Sequence, residues 1–550
     1  MAAHPVSDAG IQPEVPPSLD DKPLIKTYGS PVGKTIGTGT YGKVYVTDKN
    51  YAVKITTRKG QEILTTDLVG IVFPLSLHHP NIIKYFNVYI GSKDITLVMR
   101  VYQGDMLHMI ARYPSLLRQL DIFKSFCAQM VSAVAYLTSR GIIHGDIKPN
   151  NILFQHEGDR KYKYVLADFD LAHDRRCELG DYKVYVEYYT EPYRPPEFFF
   201  LDRGTVFDHS ADVWALGVTL ATIFNHKHLF FENDHPENMP KNISKYVPRG
   251  YGPVSKRWEQ KQVPVGLGLP FVNLVAVEVF LRKMIQFEPE DREDISELLE
   301  DPFLEGYVTG EKIPYARCMD SILYFDRKID FAPIIQADTS GSWNTHMTWC
   351  IETVLGMGLG RRTLILATDL VARYILLDLN ILSKSDLQLV VCAAIYVACR
   401  YFDGNISLRW LHKASNGLYK NEDITSKSEE LLVALKFDLC AKNQYDDIFR
   451  LRSVYPSREL SEAVDLIAYS TMYSDLYFDP KNSTIALAII LDRHGIQHSL
   501  GPTQEEIKQW INKLSNYYED YVGNLEDDFR KLVKTRLVVG TNPETEDNEV

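Results

Sequence analysis

Hydrophobic positions along the chain recur with two different periods. Near the start, Lys43–Val46 and Tyr51–Ile55 are short runs of β-branched, aromatic and other apolar residues, a composition typical of strands. From about residue 343 onward, apolar residues recur every three to four positions over longer stretches, which is the period of helices. The sequence therefore predicts strands near the N-terminus and a helical C-terminal part.

The longest apolar helical pattern covers Leu387–Phe402, which is apolar nearly all round and rich in alanine. Such a helix is expected at the centre of a bundle, because none of its faces suits water. Thr363–Leu377 is similar, with Asp369 and Arg373 spaced to pair one turn apart. The same period predicts further helices within Leu408–Lys413, Ser428–Leu439 and Leu460–Leu491.

Composition limits the classes of protein to consider. The 550 residues predict several domains, and 45% of them are hydrophobic, enough for packed cores. The net charge of −12 gives no basic footprint for nucleic acid. Seven dispersed cysteines without a CxxC pair argue against a disulfide framework or a zinc site. Because the run Leu387–Cys399 is too short to cross a bilayer and the N-terminus lacks signal-peptide features, we expect a soluble intracellular protein.

A glycine-rich run comes directly before the first predicted strand. Gly37, Gly39 and Gly42 have the spacing GxGxxG, which also opens dinucleotide-binding folds, but there a helix follows. Here a strand follows, which favours a strand–turn–strand flap that closes over phosphates. Lys54 then lies inside an apolar strand, where a lysine is costly to bury unless an anion meets it. The alternative is an edge-strand lysine that reaches solvent.

The run His144–Asn151 carries the most informative chemistry. It places a carboxylate (Asp146), an ammonium (Lys148) and an amide (Asn151) on one turn, followed by an apolar stretch. The carboxylate can take a hydroxyl proton, the ammonium can hold a phosphate oxygen and the amide can reach a metal. The pattern indicates phosphoryl transfer.

The glycine-rich run, the strand that contains Lys54 and the run His144–Asn151 follow one another as they do in kinases, so the chain resembles the protein kinase superfamily. His144–Asn151 is similar to the kinase catalytic loop, Tyr51–Ile55 to the Val-Ala-Ile-Lys strand, and Val165–Asp170 to the metal-binding Asp-Phe-Gly motif. Three more matches follow: Pro195–Glu197 for Ala-Pro-Glu, Asp212–Gly217 for a helical Asp-x-Trp-x-x-Gly, and Arg292 for the late arginine that pairs with that glutamate. With the glycine-rich run, these are seven ordered matches between residues 36 and 292, which excludes coincidence.

The resemblance implies an α+β bilobal fold, with a β-rich small lobe and a helical large lobe, and ATP and Mg²⁺ as cofactors. Leu97–Tyr102 would be the last small-lobe strand and the hinge. The implied roles are catalysis for Asp146, Lys148 and Asn151; metal binding for Asn151 and Asp168; structural support for Glu197, Asp212 and Arg292; and ATP binding for Ile36, Gly37, Thr38, Gly39, Thr40, Tyr41, Gly42, Lys43, Val44, Lys54, Met99, Val101 and Asp105. An alternative role for Asp105 is to cap the next helix.

Two departures from the kinase pattern concern control. Gly145 stands where most kinases have an arginine that binds a phosphate on the activation loop, so switching by that route is not expected. Asp170 replaces the glycine of Asp-Phe-Gly, which restricts φ and predicts slower interconversion, with Asp168 kept as a metal ligand.

A third departure concerns the partner of Lys54. The usual helix glutamate aligns with Gly70, and the nearby acids are Asp67 and Glu62. Either acid would serve if the helix is rotated or the preceding loop is short. If neither reaches Lys54, the lysine is poorly oriented and catalysis is impaired.

The activation segment Tyr182–Tyr193 contains five tyrosines, which we interpret as packing groups rather than phosphorylation sites. The usual phosphothreonine position is Tyr185, and Thr190 matches the threonine that contacts the catalytic aspartate in Ser/Thr kinases.

The catalytic loop also favours a Ser/Thr kinase, because tyrosine kinases usually have arginine and alanine there. A pseudokinase scaffold is the alternative. Four chemical groups argue for an active enzyme: Lys54, Asp146, Asn151 and Asp168.

Residues 343–440 resemble the cyclin box, an all-α five-helix bundle with a central helix rich in small residues. Cyclin boxes that bind kinases have a lysine at the end of that helix and a glutamate at the start of the fifth. Arg400 lies at the lysine position and Ser428 at the glutamate position, with Glu429 directly after it. Arg400 and Glu429 are the candidate charge pair, and the alternative for Arg400 is to cap a helix C-terminus.

Together the two resemblances predict a kinase activated in cis by its own cyclin-like domain, which the linker would hold at high effective concentration. The alternative is that the cyclin-like domain only recruits substrates or transcription factors.

Protein substrates are the expected partners, without direct nucleic-acid or membrane binding. The protein is expected in the cytoplasm or nucleus of the cell or in a virion. A large DNA virus is one source compatible with such a fusion. The expected boundaries are 1–28 disordered, 29–305 kinase, 306–340 linker, 341–440 cyclin box, 441–540 a second, diverged helical domain, and 541–550 a disordered acidic tail.

Overall fold

A computed structural model describes most of the chain between residues 24 and 512. The described residues are 24–39, 42–58, 65–91, 93–174, 188–200, 208–230, 239–247, 275–308, 331–383, 386–402, 407–439, 448, 451, 455, 457–471, 477, 479, 481–498, 500, 502–503, 505–510 and 512. They form two compact units. The first unit takes its described residues from 1–137, 143–173 and 184–313, and the second from 138–142, 174–183 and 314–550.

The first unit opens with a five-stranded antiparallel sheet in the order β1-β2-β3-β5-β4. Both predicted strands are confirmed, in β2 and β3. The predicted strand at Leu97 is also confirmed, and it ends at Arg100. The elements of this region are α1 (Leu24–Tyr28), β1 (Pro31–Gly39), β2 (Gly42–Thr47), β3 (Tyr51–Thr57), α2 (Thr65–Ser76), β4 (Tyr85–Ile90) and β5 (Asp94–Arg100).

A small apolar cluster holds this sheet together. Tyr45, Val53 and Val98 come from its three central strands and are almost completely buried. Ile25 and Tyr28 of α1 pack against the same cluster. Because these two apolar side chains are covered, the chain is helical at Leu24–Tyr28, where the sequence predicted disorder.

The rest of the first unit is mainly helical, as expected for the large lobe. Its longest helix, α4, has the length and hydropathy of a membrane span, but 61% of its apolar window is buried inside the protein, as in the core helix of a soluble domain. A three-stranded sheet, β6-β8-β9, and a two-stranded sheet, β7-β10, also occur. The elements between residues 104 and 299, of which residues 138–142 and Asp174 count with the second unit, are β6 (Gly104–Asp105), α3 (Met106–Arg112), α4 (Leu120–Ser139), β7 (Ile142–Ile143), β8 (Ile152–Gly158), β9 (Lys161–Leu166), β10 (His173–Asp174), α5 (Glu197–Phe200), α6 (Ser210–Asn225), α7 (Met239–Tyr246), α8 (Val275–Met284) and α9 (Ile295–Leu299).

The second unit is a helical bundle around one central helix. That helix spans Leu387–Phe402, as the apolar pattern predicted, and it packs against α11, α12 and α15. The helices are α10 (Ala332–Ala337), α11 (Ser342–Gly356), α12 (Arg361–Ile375), α13 (Leu387–Phe402), α14 (Leu408–Ala414), α15 (Asn421–Ala434), α16 (Ser457–Ser470) and α17 (Asn482–Arg493). Helix α10 lies within the stretch that we assigned to a linker.

One predicted helix boundary is wrong. The sequence predicted a helix over Ser428–Leu439, whereas α15 spans Asn421–Ala434. It begins earlier because the carboxylate of Asp423 accepts the backbone N–H of Lys420 at 2.8 Å, which satisfies a helix N-terminus. It ends earlier because Lys436 and Phe437 both adopt positive φ, which no helix can continue through.

Candidate active site

The turn that carries the predicted catalytic residues is anchored by the buried carboxylate of Asp212. The backbone N–H groups of His144 and Gly145 donate to Asp212 of α6 at 2.6 and 3.1 Å. The hydroxyl of Tyr189 donates to the same carboxylate at 3.0 Å. Burial raises the pKa of Asp212, although these donors and His144 oppose the shift. Asp212 therefore fixes the start of the loop, in agreement with its expected structural role.

Around Asp146 the structure brings together three predicted side chains. Lys148 Nζ lies 2.6 Å and Asn151 Nδ2 lies 3.0 Å from Asp146 Oδ2. Thr190 Oγ1 donates to Asp146 Oδ1 at 2.7 Å, the contact expected from the sequence. Lys148 also donates to the Thr190 hydroxyl at 2.8 Å. Both oxygens of the Asp146 carboxylate are thus held, which fixes its plane.

Lys54 of β3 lies between two aspartates of the metal-binding motif. Its ammonium is 3.0 Å from Asp168 Oδ1 and 3.0 Å from Asp170 Oδ2. Burial alone would lower the pKa of Lys54, but the charges of Asp170 and Asp168 outweigh it and raise that pKa. Burial raises the pKa of Asp170 to about 7, and Lys54 only partly offsets this. Lys54 outweighs the effect of burial at Asp168 and lowers the pKa of that carboxyl.

Neither Asp67 nor Glu62, the two acids that the sequence suggested, is observed in an ion pair with Lys54. Asp67 lies in the first turn of α2, and Glu62 lies outside the described residues. Among the described residues, Asp168 and Asp170 are the acids within ion-pair distance of Lys54. Sequence reasoning missed Asp170 as a partner. The available signal was that Gly70 is a glycine where the kinase pattern has an acid, while Asp170 is an acid where that pattern has a glycine.

The glycine-rich run forms two paired strands. Gly37 pairs with Val44, Thr38 with Lys43, and Gly39 with Gly42, so the two strands on either side of the predicted turn pair antiparallel. A Cβ on Gly42 would lie 2.7 Å from the carbonyl oxygen of Ile55, so the close approach of β2 and β3 requires glycine there. Ile36 is 54% exposed on β1. Thr40 and Tyr41 lie outside the described residues.

The predicted adenine-binding residues lie where β5 ends. Met99 is buried and faces Ala52 across the β3–β5 ladder. Val101 follows the end of β5 directly. The carboxylate of Asp105 accepts the backbone N–H of His108 at 2.8 Å and so caps α3. The capping role of Asp105 is therefore present in the structure, and contact with a ribose stays a prediction.

Gly145 adopts a backbone conformation that other residues rarely adopt. Its φ is +76°, and a Cβ there would lie 2.6 Å from the carbonyl oxygen of Leu171. Its own carbonyl accepts the N–H of Tyr189 at 2.9 Å, and Arg194 donates to the carbonyl of Tyr189 at 2.9 Å. The end of the activation segment is therefore tied to the catalytic loop through backbone groups. Tyr185 lies outside the described residues.

The predicted structural pair, Glu197 and Arg292, is formed. Arg292 Nη1 and Nη2 donate to the two carboxylate oxygens of Glu197 at 2.8 and 2.6 Å. The Arg292 side chain is fully buried, and its guanidinium lies 5.3 Å from the centre of the Trp214 ring. It also donates to the carbonyl of Phe287 at 3.2 Å. A bidentate pair with further acceptors is the geometry in which a buried charge is tolerated.

In the second unit, the two residues of the predicted charge pair lie on α13 and α15. Arg400 is buried, with its guanidinium 5.1 Å from the centre of the Tyr396 ring. Glu429 is half-buried, and Ser428 before it is fully buried and donates to the carbonyl of Ile424 at 2.7 Å. Pairing of Arg400 with Glu429 stays a prediction.

The donor set of the first unit fits a nucleotide with a divalent metal. Asp168 and Asn151 offer carboxylate and amide oxygens, the ligands that Mg²⁺ prefers. The side chain of Asp168 is 36% exposed while that of Asp170 is 10% exposed, so Asp168 is the carboxylate open to a further ligand. Lys54, whose side chain is 14% exposed, places a positive charge beside Asp168 that suits the anionic phosphates of a nucleotide.

Comparison with known proteins agrees with this geometry. The family model "Protein kinase domain" matches residues 31–304, and the model "Cyclin, N-terminal domain" matches residues 334–440.

Three relatives are similar to about half of this chain, at low identity. Serine/threonine-protein kinase 10 of Danio rerio is 26% identical over 285 residues, which is 50% of this chain but only 27% of the relative. Cyclin-dependent kinase 4 of Xenopus laevis is 28% identical over 292 residues, 49% of this chain and 88% of the relative. CBL-interacting protein kinase 10 of Oryza sativa is 25% identical over 322 residues, 56% of this chain and 64% of the relative. These three relatives give no support to a viral source. The chain belongs to the protein kinase superfamily and carries a cyclin N-terminal domain after its kinase domain.

Proposed function

We propose that the protein is an active ATP-dependent kinase that phosphorylates serine or threonine in protein substrates. The observation that supports this most is the hydrogen-bonded set around Asp146. A carboxylate, an ammonium, an amide and a hydroxyl lie within 3.0 Å of one another in a chain of contacts. Catalysis of phosphoryl transfer consists mostly of positioning and charge stabilisation, so a preorganised set of this kind is what the reaction needs.

In this proposal each member of the set has a distinct task. Asp146 accepts the proton of the substrate hydroxyl and holds its oxygen in line with the transferred group. Lys148, 2.6 Å from Asp146, places a positive charge where negative charge develops on that group. Asn151 donates its amide to Asp146, which leaves its amide oxygen as the atom suited to a cation.

Further groups of the first unit are proposed to hold ATP and its metal. Bound ATP supplies the phosphoryl group, and Mg²⁺ neutralises charge on the phosphates. Asp168 and Asn151 would hold the metal, and Lys54 the α- and β-phosphates. Residues 36–44 would cover the phosphates, with backbone N–H groups of the glycines as donors. Met99, Val101 and Asp105 would line the adenine and ribose positions.

The preference for serine or threonine is supported by the contact of Thr190 with both Asp146 and Lys148. This contact joins the end of the activation segment to the catalytic loop through a lysine, which tyrosine kinases usually replace with arginine. Thr190 thus couples the catalytic loop to the end of the activation segment.

Transfer of radiolabelled phosphate tests the proposal. Wild-type protein, ATP and Mg²⁺ are incubated with generic serine/threonine substrates and with a tyrosine-only copolymer. We expect labelling of the former, and a loss of roughly 10²–10⁴-fold in kcat for Asp146→Asn with nucleotide affinity retained. Asp121→Asn, which removes a carboxylate at an exposed ion pair with Arg160, is the matched control. No labelling by the wild type would favour the pseudokinase scaffold, and labelling of the copolymer alone would contradict the Ser/Thr assignment.

We further propose that the cyclin domain activates the kinase in cis. Within the second unit, the hydroxyl of Tyr401 at the end of α13 donates to the carboxylate of Asp174 at 3.1 Å. Asp174 lies six residues after Asp168 of the metal-binding motif and precedes the activation segment. A fused activator acts at high effective concentration. It would reduce the need for an activation-loop phosphate, consistent with glycine at position 145.

Full-length variants test activation in cis. Tyr401→Phe removes only the hydroxyl, and Tyr374→Phe is the matched control, because its hydroxyl donates to Glu430 of the same bundle. We expect Tyr401→Phe to lower kcat several-fold at unchanged melting temperature, and Tyr374→Phe to leave kcat unchanged. Full activity of Tyr401→Phe and of a protein that lacks residues 341–550 would contradict cis activation and leave recruitment as the role of the cyclin domain.

The domain boundaries from the sequence and a location in the cytoplasm or nucleus belong to the same proposal. Supporting them, both family models lie close to the expected limits of 29–305 and 341–440. Limited proteolysis with mass spectrometry of the fragments would test the boundaries at 306–340 and 441.

A further inference from the structure

The acid that holds Lys54 comes from an unexpected place in the chain. The Asp170 carboxylate lies 3.0 Å from the Lys54 ammonium, and the Asp170 side chain is 10% exposed. Asp168 lies at the same distance but is 36% exposed, and it is the residue proposed to bind the metal. Asp170 is thus the more buried of the two acids and the one without another task.

Helix α2 provides the space for this carboxylate. Its Gly70 is buried, and a Cβ on that residue would lie 2.3 Å from Asp170 Oδ1 and 3.3 Å from Asp170 Cγ. Real Cβ atoms do not approach other atoms so closely, and Asp170 is not free to swing away while it is bound to Lys54. Glycine is unfavourable inside a helix, so its presence in α2 needs a reason, and the Asp170 carboxylate supplies one.

The two positions have exchanged residue types. In the kinase pattern, the acid stands at the helix position that aligns with Gly70, and the glycine stands at the position of Asp170. Here the glycine is on the helix and the acid is in the metal-binding motif. The carboxylate that binds Lys54 lies against the helix position at which the kinase pattern has its acid.

We propose that Asp170 is the positioning residue for Lys54, and that Gly70 is the residue that makes room for it. The inference rests on the proposed function as an ATP-dependent kinase. The orientation of Lys54 then depends on the conformation of residues 167–170 and not on a carboxylate of α2. The lysine and its metal-binding neighbour Asp168 are held as one group with Asp170.

Exchange of the two residue types tests the proposal. In the full-length protein, Asp170→Asn removes the charge at nearly the same shape. Gly70→Glu and Gly70→Asp introduce the clash, and each is then combined with Asp170→Gly to move the acid onto the helix. Asp170→Gly alone serves as the reference, and Asp121→Asn, at an exposed ion pair, serves as the matched control. Each variant is measured for its dissociation constant for a fluorescent ATP analogue, for kcat and KM, and for melting temperature.

We expect Asp170→Asn and Asp170→Gly to weaken nucleotide binding about tenfold and to lower kcat by about 10–100-fold, because a misplaced Lys54 no longer meets the phosphates. Each single substitution at Gly70 should lower both quantities and the melting temperature. At least one exchanged double variant should bind nucleotide better than Asp170→Gly and better than its own Gly70 single variant. Such rescue is not expected of a residue that only supports the fold.

Two results would overturn the inference. One is wild-type nucleotide affinity and kcat in folded Asp170→Asn. The other is a pair of folded double variants that bind nucleotide no better than Asp170→Gly. Phosphoryl transfer that is absent from the wild type would overturn the proposed function instead, and the affinity measurements would still decide the role of Asp170.

Discussion

The hydroxyl of Thr190 donates to Asp146 Oδ1 at 2.7 Å and accepts from Lys148 at 2.8 Å. It therefore holds the proposed base and the proposed phosphate-binding lysine in one orientation. Thr190→Val removes the hydroxyl at nearly the same volume and should lower kcat about tenfold or more, with little change in nucleotide affinity. Steady-state kinetics with a peptide substrate measures both quantities.

Thr190→Ser is the matched control, because it keeps the hydroxyl and should retain most of the activity. Equal kcat values for the valine and serine variants would show that the hydroxyl does not position Asp146.

Gly145 should resist replacement for a structural reason. Its φ of +76° disfavours any side chain, and a Cβ would lie 2.6 Å from the Leu171 carbonyl oxygen. Gly145→Ala should lower the free energy of unfolding by about 3 kcal/mol, the upper end of the cost of a strained backbone. Gly145→Arg should do the same rather than restore control by phosphorylation. Thermal and urea unfolding measure the effect.

Gly158 offers a control for the backbone part of that cost. It also has positive φ, +92°, but a Cβ there would meet no atom within 4 Å. Gly158→Ala should cost only about 1 kcal/mol. If both alanine variants lose the same stability, the contact with Leu171 contributes nothing.

The buried pair of Glu197 and Arg292 should be among the most sensitive in the kinase domain. Arg292→Leu leaves the Glu197 carboxylate buried without its bidentate partner and should cost about 3–5 kcal/mol of stability. Arg292→Lys should also destabilise, because an ammonium cannot bridge both carboxylate oxygens. Arg160→Ala, at an ion pair with 63% and 54% exposed side chains, should cost no more than about 1 kcal/mol. A loss at Arg292 no larger than that at Arg160 would contradict the expectation.

The sequence predicted the features that depend on the residue types within a short stretch or on the order of motifs along the chain. Strands β2 and β3 were predicted from their β-branched, aromatic and apolar composition, and helix α13 from its apolar pattern, because burial shows directly in the residue types. The pairing of Glu197 with Arg292 came from ordered motifs, since the resemblance relates residues that lie far apart in the chain.

What the sequence did not predict depends on three-dimensional packing. The partnership of Lys54 with Asp170 requires knowledge of which segment faces the lysine, and spacing along the chain contains none. The early end of α15 follows from the positive φ of Lys436 and Phe437, two residue types that give no sign of that conformation. The helix at Leu24–Tyr28 is stabilised by the sheet against which it packs and not by its own five residues.

Acid should weaken the kinase domain through His79. Its Nδ1 accepts the backbone N–H of Asn81 at 3.1 Å and its Nε2 lies 3.1 Å from the Ser132 hydroxyl oxygen, so the folded protein requires a neutral ring. Burial, with the charge of Lys163, lowers the pKa of His79 to about 4 from an ordinary value near 6.5. Between these values the unfolded chain binds a proton that the folded protein does not, so the free energy of unfolding falls as pH drops from 6.5 to 4. Because the ring is half-buried, the loss should be on the order of 1–2 kcal/mol.

In His79→Asn, the amide oxygen accepts the same N–H without titrating. Urea unfolding of both proteins between pH 7.5 and 4 should therefore give a wild-type curve that falls more steeply, and parallel curves would contradict this role of His79.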